Sequence, residues 1–81
     1  MKGAKMKKKL SDVAVRVHGF ITTEYRIHKL HSTTHVELVS SGGNIYRFGL
    51  SDGRNLSHGK AICQEDLPRL REIAAKALAN G

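Results

Sequence analysis

The side chains that could do chemistry here are five histidines, a single cysteine and a block of lysines at the start of the chain. His28, His31 and His35 lie close together, and His58 precedes Cys63 by five positions. Period two in a strand would turn His28 and His31 to opposite faces, and there is no second cysteine to complete a Cys/His quartet. No metal site and no cofactor are therefore expected. Pairing Cys63 with His58, or Ser57 with His58, would give a nucleophile and a base, but near neighbours in sequence rarely face each other productively. The acids form no paired-carboxylate signature, so the sequence reads as non-enzymatic, with Cys63 a small buried hydrophobe near a helix start.

The segment LSDGRNLSHGK, residues 50 to 60, offers Arg54, His58 and Lys60 as phosphate ligands, with glycines that would let backbone approach an anion. It matches neither a Walker loop nor the dinucleotide fingerprint, and Asp52-Gly53 also suits an ordinary hairpin turn.

Charge gives the stronger direction. The 81 residues carry a formal charge of +7, and Lys2, Lys5, Lys7, Lys8 and Lys9 put +5 of it into residues 1 to 10. The remaining nine Lys and Arg stand against seven Asp and Glu, leaving +2 for residues 11 to 81. A lysine block on a flexible arm attracts phosphate through counterion release without reading sequence; it would equally serve as a solubilising leader.

The elements that would position these groups follow from periodicity. Val13, Val15 and Val17 alternate with Ala14, Arg16 and His18, giving a half-buried strand over residues 12 to 21. Thr22, Thr23 and Glu24 then suit a turn. Tyr25 and Ile27 against Arg26 and His28 make a second strand, and Val36 and Leu38 against His35 and Glu37 a third. SSGGN, residues 40 to 44, is the clearest hairpin turn. Tyr46, Phe48 and Leu50 against Ile45 and Arg47 follow it, and residues 54 to 63 form either a short fifth strand or an ordered loop. From Glu65 onward the spacing of Leu67, Leu70, Ile73, Ala74, Ala77 and Leu78 is helical. Acids lie ahead of Pro68, with Asn80 and Gly81 at the stop.

The expected fold is α+β: residues 1 to 10 a flexible lysine-rich tail, and residues 11 to 81 one domain. That domain is an antiparallel meander of four to five strands with an amphipathic C-terminal helix across one face. If the helix covers the valine face, the other face presents Arg16, His18, Arg26, His28, His35 and Arg47, with Glu37 as its one acid. A slip of one residue would flip any strand's set. About seventy residues bury only a modest core, which leaves room for a homodimer. The apolar runs fall short of the roughly eighteen residues a membrane span needs, Asp12 and Arg16 interrupt any signal-peptide core, and a lone cysteine suits the cytoplasm.

Nucleic acid is the first expected partner, held by Lys5, Lys7, Lys8, Lys9, Arg16, Arg26, His28, His35, Arg47, Arg54 and Lys60. Sheets can enter the major groove, where Arg reads guanine. A double-stranded-RNA-binding domain is not indicated, because the last helix opens on Gln64, Glu65 and Asp66 instead of a lysine pair. Stacking modes need exposed aromatics, whereas Phe20, Tyr25, Tyr46 and Phe48 are mostly assigned to the core. The alternative is a protein-binding inhibitor or adaptor of the anti-defence, anti-CRISPR kind carried by phages and mobile elements. It would dock through an edge strand, and the near balance of charge in residues 11 to 81 suits it.

Overall fold

Alternating valines make a strand because period two puts all of them on one pleated face. In the computed structural model, which describes residues 10–55 and 57–80, this strand is β1, Ala14–His18, preceded by a 3-10 turn at Leu10–Asp12. It is followed by β2 (Thr22–Leu30), β3 (His35–Val39), β4 (Ile45–Gly49), β5 (Arg54–Asn55), β6 (Lys60–Ile62) and α1 (Leu67–Asn80). The lysines at 2, 5, 7, 8 and 9 lie outside the described residues.

The α+β class and the meander with a C-terminal helix hold, with six strands where four or five were expected. The extra strand comes from residues 54 to 63, which form a hairpin of two short strands. Asn55 organises its turn by accepting from the His58 N–H at 2.7 Å, and Gly59 takes the left-handed conformation that such a turn requires. All pairings are antiparallel, and the order is β4-β3-β2-β1-β6-β5. The sheet also curls. β5 returns beside β4, and the Asn55 amide Nδ2 donates to the Arg47 carbonyl at 2.8 Å, so a side chain bridges the seam of an almost closed barrel.

The first turn differs from expectation. β1 stops at His18, Gly19 to Ile21 make the bend, and Thr22 to Glu24 belong to β2, paired with His18, Val17 and Arg16. The apolar pair Phe20-Ile21 had extended the alternation past the true strand end. A bulge between Ile27 and Lys29 then lets β2 place Leu30 opposite Val36.

The core assembles Val15, Val17, Tyr25, Ile27, Val36, Leu38, Phe48, Leu50 and Ile62 against Leu67, Leu70 and Ala74 of the helix. Each large side chain fully removed from water contributes about 1.5–3 kcal/mol, so this set decides which face of every strand is inside. Val13 and Tyr46, expected in the core, pack at its margin. The helix begins at Leu67, so Glu65 and Asp66 precede it instead of filling its first turn. Two arginines pin it across the barrel. Arg69 donates to the Ala14 carbonyl at 2.6 Å, and Arg71 donates to the Leu50 and Ser51 carbonyls at 2.7 and 2.5 Å.

Candidate functional site

β6 pairs with β1 only at Val17 and His18, which leaves the outer edge of β1 from Ala14 to Arg16 without a strand partner. Side chains and a loop finish that edge. Arg69 takes the Ala14 carbonyl, the Cys63 N–H donates to the Arg16 carbonyl at 2.9 Å, and the Arg16 N–H donates to Asp66 Oδ2 at 2.9 Å. The Arg16 guanidinium closes over the same acids, 2.6 Å from Glu65 and 3.4 Å from Asp66. Hydrogen bonds to Glu65 and then Asp66 push its pKa further up. Burial alone would raise the Asp66 carboxyl, but the Arg16 N–H and guanidinium outweigh it and hold that group below the usual range.

The expectation of a basic outer face with Glu37 as its one acid is therefore corrected. Glu24 stands directly across from Arg16 and binds Arg26 at 3.3 Å, while Arg26 also donates to the Asp12 carbonyl at 3.0 Å. Glu37 lies 3.7 Å from Arg47 and accepts from His31 at 2.8 Å, an interaction that lowers its pKa. Arg16 and Arg26 thus each have a carboxylate partner; that of Arg16 was not legible because Glu65 and Asp66 are about fifty positions away, and that of Arg26 because Glu24 was read as part of a turn and not of β2. His28 is exposed at the β2 bulge, close enough to Glu37 to add to the lowering of its pKa.

Four of the expected ligands do come together, around the β4–β5 turn. His35, Arg47 and Arg54 line one groove with Ser51, Asp52 and Ser57, and Arg54 lines a second groove with Lys60. Arg54 and Lys60 have no carboxylate partner among the described residues. Asp52, the one carboxylate of the first groove, accepts from the Arg54 N–H at 3.0 Å. The expected trio Arg54, His58 and Lys60 does not converge as one cradle. The short hairpin sends Arg54 to one side, while Lys60 and His58 reach Tyr46: the Lys60 ammonium is 5.3 Å from the Tyr46 ring centre and the His58 ring meets it edge-on at 5.0 Å.

Phe20 was the aromatic whose placement sequence reasoning missed. It is 103% exposed at the β1–β2 bend, beside Ile21 at 65%. The available signal was Gly19 followed by two apolar residues and then threonines, an apolar pair inside a turn.

Cys63 pairs with His18, not with His58. Its Sγ lies 3.0 Å from His18 Nε2, and His18 Nδ1 lies 2.8 Å from the Thr22 hydroxyl. Burial pushes the thiol's pKa up. A thiol held protonated is a weak nucleophile at neutral pH, since the thiolate is the reactive form. Among the described residues no cluster of three or more His, Cys, Asp or Glu could hold a metal ion, and no helix is long and apolar enough to cross a membrane. Comparison with family models, curated proteins and solved structures finds no match.

Proposed function

We propose that the protein is a non-enzymatic nucleic-acid-binding module of the cytoplasm, gripping phosphates with the β4–β5 grooves and the lysine-rich leader. One observation carries the reading: His35, Arg47 and Arg54 line a single groove whose only carboxylate is Asp52, and Lys60 continues the cationic path in the next. Each guanidinium can hold phosphate oxygens with two parallel donors, and two of them on one concave surface can act on the same or successive phosphates. The +5 of the first ten residues adds attraction without sequence preference. Arg16 and Arg26, held at 2.6 and 3.3 Å by Glu65 and Glu24, are assigned to holding the fold, whereas Arg47 has only the longer 3.7 Å approach of Glu37.

The test is a titration of the full chain with labelled oligonucleotides at several salt concentrations. Binding should weaken steeply with salt. Removing residues 2 to 9 should reduce the slope of log Kobs against log[salt] by up to about 4.5, and replacing Arg47 and Arg54 by Gln by about 1.4–1.8, at roughly 0.7–0.9 per phosphate contact. Absence of binding at low salt rejects the reading. A second reading, a protein-docking adaptor or inhibitor of the mobile-element type, is favoured by the exposed Phe20 and Ile21. It predicts salt-tolerant capture of one protein, abolished by replacing Phe20 with Ser and indifferent to Arg54.

A further inference from the structure

We infer that the cleft between the β1–β2 and β3–β4 turns is a stacking site for an unpaired base, so that the ligand class is single-stranded nucleic acid; this rests on the nucleic-acid reading above. The cleft encloses about 260 Å³. Phe20 stands at its rim with its ring wholly in water, and Tyr46 forms its wall. The Tyr46 ring packs against Tyr25, tilted and 5.7 Å centre to centre, and against His58 edge-on at 5.0 Å. Two aromatic rings lining one cleft, one exposed and one packed, are what a flat π-face of any base can use.

Charge argues for a nucleotide as the occupant. Lys60 lines this cleft with its ammonium over the Tyr46 ring face, 5.3 Å from its centre, so a stacking base takes the place of that ammonium and frees it for the phosphate; Lys60 also lines the neighbouring groove that contains Arg54. A phosphate backbone following Arg47, Arg54 and Lys60 would therefore deliver its next base to Tyr46 and Phe20. The cleft's one carboxylate, Glu24, is held by Arg26 at 3.3 Å. Asn44 and Ser40, which also line the cleft, offer donors and acceptors to a base edge. A duplex cannot use such a site without unpairing, because its base faces are already stacked on one another and only the edges are open.

The experiment compares a labelled 12-mer single strand with the same sequence as a duplex, at one salt concentration, for the wild-type chain and for Phe20→Ala, Tyr46→Leu and Lys60→Gln. Phe20 is fully exposed, so its replacement leaves the fold intact, which circular dichroism checks. The expected result is preference for the single strand, weakened about 5- to 100-fold by Phe20→Ala with duplex affinity unchanged within about twofold. The chain has two tyrosines and no tryptophan, so tyrosine emission reports stacking directly: the single strand should quench it and the duplex should not. Equal affinity for both forms, with Phe20→Ala silent and emission unchanged, overturns the inference and leaves the proposed function standing. Failure to bind either form overturns both. Loss of binding through Lys60→Gln alone, with both aromatic variants silent, also overturns the inference, since it leaves a phosphate contact without stacking.

Discussion

Gly53→Ala is expected to cost about 2–5 kcal/mol, enough to depopulate the folded state of a small domain. Two penalties combine there. Gly53 has φ of 76°, a left-handed conformation that carries about 1–2 kcal/mol for a residue with Cβ. An added Cβ would also lie 3.3 Å from the side chains of both Ile62 and Leu67, and 3.4 Å from the Ile62 carbonyl, in a fully packed corner where β6 meets the helix. Overpacking of that kind adds about 1–3 kcal/mol. Gly43 separates the terms: its φ is 89°, yet an added Cβ there meets nothing within 4 Å. Urea denaturation followed by circular dichroism should show Gly43→Ala losing only the conformational part. Equal losses at the two positions would mean that the Ile62–Leu67 corner yields.

The second large effect is at the edge of β1. Asp66→Ala should destabilise by about 1.5–3 kcal/mol, the range for a hydrogen bond to a charged group, because the Arg16 N–H loses its acceptor and the guanidinium keeps only Glu65. Asp66→Asn keeps an acceptor oxygen and should lose less. The pH dependence follows from the direction of the shift. A carboxyl held below its ordinary pKa contributes fully above that ordinary value of about 3.9, and its contribution fades as pH falls through the lower folded value. The wild-type advantage over Asp66→Asn should therefore be present at pH 7 and shrink at pH 3. An advantage that persists unchanged at pH 3 would assign the effect to packing and not to the charged carboxylate.

These two sites also mark how far the sequence could be read. Strand identity and facing were legible wherever a β-branched alternation met a glycine turn: Val15, Val17, Ile27, Val36, Leu38 and Phe48 are all inside. The β1–β2 turn was misjudged because Phe20 and Ile21 imitate a strand continuation, and only tertiary burial reveals that nothing covers them. The pairing of β6 with β1 and the capture of Arg16 by Glu65 and Asp66 bring together positions far apart in the chain, and local periodicity holds no record of such contacts. Of the candidate site, the types of Arg47, Arg54 and Lys60 were readable. Their grouping depended on the curl that returns β5 to β4.

That curl has a dynamic consequence. Where β4 and β5 meet, the barrel is fastened by the Asn55 carboxamide on the Arg47 carbonyl, whereas β1, β2 and β3 are laced by backbone ladders, continuous between β1 and β2 and broken only by the bulge between β2 and β3. Breathing of the molecule will begin at that fastening, so amide protons of β5 should exchange with deuterium before those at the centre of β2. Arg47 and Arg54 stand on either side of it, and a ligand anchored to both would clasp the joint shut and slow that exchange.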